Sequence, residues 1–346
     1  MESHSLSRNK QRNYSLDLLK FISSFMIICI HFKIAGKTGE LLTVISRFAV
    51  PVFFMVSGYY ACHDDCDKLK YKIINIIKIY FISVVIYFCF NIVVMILKGQ
   101  IREALWYVST YLRIQYTSKI FLFNESITAM HLWFLGSLIY SYVVQYLALK
   151  IKIKDNVIYL ISTLLIITHL VLGIGLPALG IETPEFLLKN YMLRNYLFMG
   201  YPLFVFGMFI RKKEDVIHKV ISCKVIFILL VISLVDALLV WNIDWSKDLY
   251  IGSIISAFAL FILALKKKDK KYPRKLLTLF NTSSIVYVIH VMIGEILAMT
   301  VLENTMLYAY IKPVVIFGLS VAISVFFNVL VKRIRKTNRL SINGSR

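Results

Sequence analysis

Three ionisable side chains lie in the first long apolar stretch of the chain: Asp17, Lys20 and His31. An ionisable group in an apolar helix is costly, so it usually faces the bundle interior, a cavity or a charged partner. Between Lys20 and His31 a helix turns through about 1100°, about 20° from a whole number of turns, and rises about 16 Å. We therefore predict that Lys20 and His31 line one cavity and that Asp17, three residues before Lys20, pairs with it.

A structural role for these three residues remains an alternative. His31 stands at a predicted helix end, where a histidine at the membrane interface needs no catalytic role. Asp17 and Lys20 could form a snorkelling pair among the inner headgroups. The shared face of Lys20 and His31 favours function.

The second apolar stretch begins at Arg47 and contains Pro51, Ser57 and Gly58. Proline removes a backbone donor and glycine removes a side chain, so this helix is predicted to bend and to allow close approach of another chain or a ligand. Ser57 and Arg47 are candidate substrate-binding residues. Helix packing is an equal alternative for Ser57 and Gly58, and an interfacial snorkel is an equal alternative for Arg47.

Two further histidines belong to later apolar stretches and are candidate binding residues. His131 opens the fourth stretch beside Trp133, which fits an aromatic belt at the membrane interface. His290 lies in the ninth stretch, and Glu295 is about 140° away around the helix, so these two do not share a face. His169 is predicted to be a packed polar residue or to line a cavity.

A membrane must position these residues, because the 346-residue chain is 59% hydrophobic and only 17% charged and is filled with apolar runs of roughly 20 residues. We predict an all-α polytopic bundle. Ten spanning helices are expected at 14–33, 44–61, 73–97, 131–149, 156–176, 193–210, 224–241, 248–265, 283–302 and 311–331.

The net charge of +21 is clustered between the apolar runs, as in cytoplasmic loops that face anionic lipid, and this placement argues against nucleic-acid binding. With the N-terminus in the cytoplasm, 27 basic residues lie inside and 11 outside. Both termini are therefore predicted to be cytoplasmic. The chain is expected to form one membrane domain, with a cytoplasmic segment 1–13, a helical bundle 14–331 and a basic tail 332–346.

The five cysteines, an odd number, predict no disulfide framework. The cluster from Cys62 to Cys66 could hold a metal, but a small loop on the reducing side is the preferred interpretation, and no metal is expected.

Several of these segments together resemble the acyltransferase-3 family, membrane-embedded O-acyltransferases of surface glycans and related envelope molecules. The resemblance covers nearly the whole chain in order. Its motifs are Asp17-Leu18-Leu19-Lys20 with His31, Arg47 to Gly58, His131-Leu132-Trp133-Phe134-Leu135, Gly200 to Phe204 with Gly207, and Ser284 to His290. Many members carry arginine at the position of Lys20.

The resemblance implies a bacterial cell-membrane enzyme that takes an acyl group from a cytoplasmic acyl-CoA, commonly acetyl-CoA, and delivers it to an envelope glycan or a lipid-linked acceptor outside. The family's basic residue and histidine fall on Lys20 and His31. An imidazole suits proton transfer near neutral pH, so His31 is predicted to be the general base; an acyl-histidine intermediate is the alternative. Cofactor phosphates are expected to meet the positive inner face, with contacts from Lys68, Lys70 and Lys72.

A polytopic transporter of a small polar solute such as an amino acid is the competing function, with the buried ionisable residues coupling substrate or protons. An inactive sensory or assembly subunit is a third. The acceptor, the acyl chain and the oligomeric state do not follow from the sequence.

Overall fold

The computed structural model describes residues 13–111, 124, 126, 128–181, 190–244, 247–300 and 305–344. This part of the chain contains helices and no strand, which confirms the all-α class. In chain order we number α1 Tyr14–His31, α2 Lys37–Ser46, α3 Ala49–Ala61, α4 Cys66–Leu97, α5 Ile101–Tyr111, α6 Trp133–Lys150, α7 Asp155–Leu170, α8 Tyr201–Lys212, α9 Glu214–Val220, α10 Cys223–Asp244, α11 Ile251–Lys266, α12 Arg274–Phe280, α13 Ser283–Ala298 and α14 Met306–Gly344.

Seven helical segments within the described residues are long and apolar enough to cross a membrane. They are Tyr14–His31, Lys37–Ala61, Cys66–Leu97, Met130–Lys150, Asp155–Ala178, Cys223–Ile243 and Met306–Val331. The pair α12 and α13, bent by 56°, would make an eighth. The other two predicted spans correspond to α11, which has 16 residues, and to α8. The polytopic bundle is therefore confirmed, whereas the count of ten and the orientation stay predictions.

Side-chain contacts hold both ends of α1, one from a neighbouring residue and one across the bundle. The side-chain oxygen of Asn13 accepts hydrogen bonds from the backbone N–H groups of Ser15 at 3.0 Å and Leu16 at 3.1 Å, a helix cap. At the other end, the ring of Phe32 packs onto Gly294 of α13, where a Cβ atom would lie 2.0 Å from the ring. The residue that ends α1, His31, is thereby held beside α13.

The segment predicted as one bent helix over 44–61 consists of two helices, α2 and α3, joined at Arg47 and Phe48. Pro51 has no N–H group to donate to the carbonyl four residues earlier, that of Arg47, which accounts for the break at this point. The interruption lies about one helical turn before the proline, and the two helices together form one membrane-length segment. The break allows Arg47 to lie between the two helices.

Helices α3 and α8 touch through two glycines. A Cβ atom on Gly58 would lie 1.8 Å from the carbonyl oxygen of Phe204, and one on Gly207 would lie 1.9 Å from that of Met55. Contacts this short leave no space for a side chain, so the two backbones approach as in small-residue membrane packing. Gly58 therefore has the packing role that the sequence analysis gave as an alternative.

Helix α14 is longer than predicted. The sequence analysis ended the last span at residue 331 and assigned 332–346 to a basic tail, whereas α14 runs without interruption from Met306 to Gly344. The described part of the tail thus continues the helix beyond the apolar segment.

Candidate active site

Three histidines from distant parts of the chain meet at one place. His31 ends α1, His131 lies in the 3₁₀ turn Met130–Leu132 that precedes α6, and His290 lies within α13. The ring centroids are 5.4 Å apart for His31 and His290, 6.2 Å for His31 and His131, and 5.0 Å for His131 and His290. The sequence analysis selected each of the three but did not predict that they form one cluster.

Burial distinguishes the three imidazoles. His131 is 2% exposed and His290 is 0% exposed, whereas His31 is exposed. Of the three histidines, His31 is the one with exposed surface, although its ring lies against the rings of the other two.

A backbone carbonyl determines the tautomer of His131. Its Nε2 atom lies 3.2 Å from the carbonyl oxygen of Val288. A carbonyl can only accept a hydrogen bond, so a neutral His131 carries its proton on Nε2. The Nδ1 atom then presents a lone pair, and it has no hydrogen-bond partner among the residues that the structure describes.

The tautomer of His290 is determined in the opposite sense. Its Nδ1 atom lies 2.7 Å from the carbonyl oxygen of Tyr287 and 3.3 Å from that of Val286. Nδ1 must therefore donate, which leaves the Nε2 lone pair as an acceptor. Within the described segments this nitrogen also has no partner.

Two tyrosines hold the backbone that sets these tautomers. The hydroxyl of Tyr87 donates to the carbonyl of Val288 at 2.7 Å and accepts from the N–H of Met292 at 3.2 Å, so it is inserted into the hydrogen-bond ladder of α13. The hydroxyl of Tyr287 donates to the carbonyl of His131. These contacts tie α4, α6 and α13 together at the histidines.

The cluster therefore presents two buried acceptor nitrogens next to one accessible imidazole. In the conformation seen here, His31 makes no hydrogen bond to a described residue. A ring nitrogen lies about 1.2 Å from its centroid, so at a 5.4 Å centroid separation two facing nitrogens would be about 3 Å apart, which is hydrogen-bond distance. This separation allows a hydrogen bond from the N–H of His31 to Nε2 of His290 when the two atoms face each other.

Charged residues lie beside the histidines. Arg47 Nη1 is 2.7 Å from Asp248 Oδ1, and Arg194 Nη1 is 3.5 Å from Asp248 Oδ2. Arg194 also lies over the ring of Trp133, two residues after His131, with Cζ 5.5 Å from the ring centroid. Lys33 lies two residues after His31. Its pKa is lowered mainly by partial burial and further by the positive charge of Arg47.

Arg194 and Asp248 were missed by the sequence analysis. Each lies in a short polar stretch next to an apolar run, which alone does not distinguish a site residue from a loop residue. Arg194 is positioned by its neighbours: Nδ1 of the buried His169 contacts the carbonyl of Leu193 at 3.1 Å, and Asn195 caps the turn that follows, accepting from the N–H of Leu197 at 2.8 Å.

The predicted pair at the start of α1 is present, with Lys20 Nζ 2.8 Å from Asp17 Oδ1. Asp17 is buried and Lys20 is half-buried. Ser57 is half-buried, and its hydroxyl donates to the carbonyl of Phe53 at 2.8 Å within α3. The geometry places these side chains on α1 and α3 and does not bring them into the histidine cluster's hydrogen bonds; their catalytic or binding roles remain predictions.

The lysines near the start of α4 differ in their surroundings. Lys68 pairs with Asp65 at 2.9 Å, and this hydrogen bond holds the pKa of the Asp65 carboxyl below its usual value. Lys72 pairs with the buried carboxylate of Asp64. Lys70 is exposed. Two of the three predicted donor contacts thus also stabilise the loop before α4.

No group of three histidine, cysteine or acidic side chains in the described part of the chain is arranged to hold a metal ion. The imidazole nitrogens of the cluster can accept or donate a proton, and an unprotonated imidazole nitrogen can also act as a nucleophile.

Comparison with known proteins identifies one family. The family model described as "Acyltransferase domain", of the acyltransferase-3 type, matches residues 13–333. An amino-acid racemase of Enterococcus faecalis is 25% identical over an alignment of 172 residues that covers 44% of this chain and 23% of the racemase. The chain thus covers about a quarter of that relative's length. No solved structure matches the chain.

Proposed function

We propose that the chain, which belongs to the acyltransferase-3 family, is a membrane acyltransferase that moves an acyl group from a cytoplasmic acyl-CoA to a hydroxyl of an extracytoplasmic envelope acceptor. The proposed acyl group is acetyl, the acceptor a cell-envelope glycan or a lipid-linked sugar, and the location the bacterial cytoplasmic membrane. The observation that carries this proposal is the accessible imidazole of His31 beside two buried imidazoles with fixed tautomers.

In the proposed reaction His31 acts as the general base. Its free nitrogen takes the proton of the acceptor hydroxyl while the hydroxyl oxygen attacks the thioester carbonyl. The new C–O ester bond forms, the C–S bond breaks, and the proton passes from His31 to the departing thiolate. General-base assistance of this kind contributes roughly 10²- to 10⁴-fold to the rate.

The buried histidines would support this step by accepting a hydrogen bond from the N–H group of His31. As His31 gains a proton it becomes a cation, and its hydrogen bond to Nε2 of His290 or Nδ1 of His131 becomes charge-assisted and stronger. The support is thus larger in the transition state than in the ground state, which is the condition for a rate effect.

The donor is proposed to enter from the opposite end of α1. Lys20, held by Asp17, and the exposed Lys70 would offer positive charge to the phosphates of CoA, with Lys68 and Lys72 contributing to the same positive face. Arg47 and Ser57 would line the route to His31.

The test uses purified protein in lipid nanodiscs with acetyl-CoA, with and without a crude envelope glycan extract. We expect release of free CoA that depends on the extract. Directional uptake of a solute without loss of thioester would instead support the transporter hypothesis, which the partial similarity to a racemase does not favour.

A further inference from the structure

Arg194 has hydrogen-bonding capacity that the residues described by the structure do not use. Its guanidinium group has five N–H donors in a fixed fork, yet its side chain is only 18% exposed. Among the residues that the structure describes, it makes no hydrogen bond: the 3.5 Å separation from Asp248 is too long for a good one. Asp248 is instead committed to Arg47, at 2.7 Å.

The guanidinium is nevertheless held in place. It lies over the ring of Trp133, with Cζ 5.5 Å from the ring centroid, a contact that favours arginine and keeps its edge available. The adjoining backbone is held by His169 and the Asn195 cap. A donor fork that is half-buried, held in place and without a hydrogen bond to any described residue is suited to bind an anion.

Arg194 belongs to the same site as the histidines. It lies over Trp133, two residues after His131, and it shares the ion-pair partner Asp248 with Arg47. We call the described segments that surround these residues, 31–48, 192–195 and 247–250, the mouth of the site. They contain five Lys or Arg residues and two Asp or Glu residues, a net charge of +3. The field at the mouth therefore attracts negatively charged molecules.

We propose that Arg194 binds an acidic group of the acceptor, a carboxylate or a phosphate, and so selects anionic envelope molecules. This proposal rests on the proposed function, in which His31 receives the proton of the acceptor hydroxyl. The guanidinium group of Arg194 would donate hydrogen bonds to the acid group while the hydroxyl to be acylated faces His31. The stack on Trp133 would fix the distance between the two.

The first test measures binding and does not need turnover. D-glucuronate and inorganic phosphate are titrated by calorimetry into the nanodisc protein, with methyl glucoside as the neutral sugar. We expect glucuronate, phosphate or both to bind, and the affinity to fall about tenfold or more in Arg194→Gln. The matched control is Lys37→Gln, which removes an exposed positive charge from the same mouth and should change the affinity less than twofold. Equal affinity in the wild type and Arg194→Gln, or no binding of either anion, would overturn the proposal.

The second test measures acetyl transfer to the envelope extract and separates the two kinds of acid. One portion has its carboxylates converted to amides with a carbodiimide, and another has its phosphates removed with hydrofluoric acid. With one of the two treated extracts, we expect the wild type to need the same half-saturating concentration that Arg194→Gln needs with untreated extract. The kcat of the wild type should change less than threefold. If Arg194→Gln lowers kcat and leaves half-saturation unchanged, Arg194 does not select the acceptor and instead acts on the transition state.

Failure of the proposed function would give a different result. No CoA release with any extract, together with anion binding that depends on Arg194, would refute acyl transfer and leave the anion site intact.

Discussion

Replacing His290 by asparagine separates the two hydrogen bonds of its imidazole. The Nδ1–H group donates to the carbonyl of Tyr287 at 2.7 Å, and the amide nitrogen of asparagine can occupy a similar place and keep this bond. Nothing in asparagine reaches the position of Nε2. The His290→Asn variant should therefore remain folded and lose the acceptor that we propose for His31.

The magnitude follows from the hydrogen bond that is lost. A hydrogen bond to a charged group contributes about 1.5–3 kcal/mol, and His31 is charged only as the reaction proceeds. His290→Asn should thus lower kcat by about 10- to 150-fold, since each 1.4 kcal/mol is a factor of ten. The thermal unfolding midpoint should change little.

The matched variant is His290→Gln, whose longer side chain can place an oxygen near Nε2 but cannot keep the Nδ1 bond. It should lose about 1 kcal/mol of stability, the net contribution of one ordinary hydrogen bond, and retain more activity than His290→Asn. The assay is CoA release with saturating extract, beside thermal unfolding in the same nanodiscs. A kcat for His290→Asn within twofold of the wild type would refute the acceptor role, as would the reverse ranking of the two variants.

Two further predictions concern packing and charge. Gly58→Ala must move the backbones of α3 and α8 apart by more than 1 Å, because its Cβ would start 1.8 Å from a carbonyl oxygen; it should cost about 1–3 kcal/mol or more. Gly318→Ala, with no atom within 4 Å of the new Cβ, should be neutral or stabilising. Equal unfolding midpoints for Gly58→Ala and Gly318→Ala would contradict this difference. Lys72→Met removes the ammonium group that faces the buried carboxylate of Asp64 and should cost about 3 kcal/mol, the low end for breaking a buried pair. Exposed Lys70→Met should cost less than about 0.5 kcal/mol, and a similar loss in both variants would count against the ion pair.

Much of the fold could be predicted because the membrane imposes strong local rules. Apolar runs of membrane-spanning length can be recognised in a single sequence, and so can a charge or a histidine within such a run. These two features predicted the helical bundle and selected the three histidines. The Asp17–Lys20 contact also followed, since residues three apart on a helix are neighbours whatever the tertiary structure.

The remaining features depend on contacts between distant segments. That His31, His131 and His290 meet follows from the packing of α1, α6 and α13, which no spacing along the chain encodes. The insertion of Tyr87 into the ladder of α13 is likewise a contact between residues about 200 positions apart. Arg194 gave no signal because an arginine at the start of an apolar run is ordinary. It becomes conspicuous only because it is half-buried and makes no hydrogen bond to a described residue.

In the proposed reaction, His31 at the end of α1 transfers the proton that acyl transfer requires. The most direct measurement is acetyl incorporation into the envelope extract by His31→Ala, beside His218→Ala, which removes an exposed histidine from α9. We predict that His31→Ala inserts and folds normally but transfers acetyl at least 10²-fold more slowly, as expected when a general base is removed, while His218→Ala transfers at the wild-type rate. Normal transfer by His31→Ala would contradict the account.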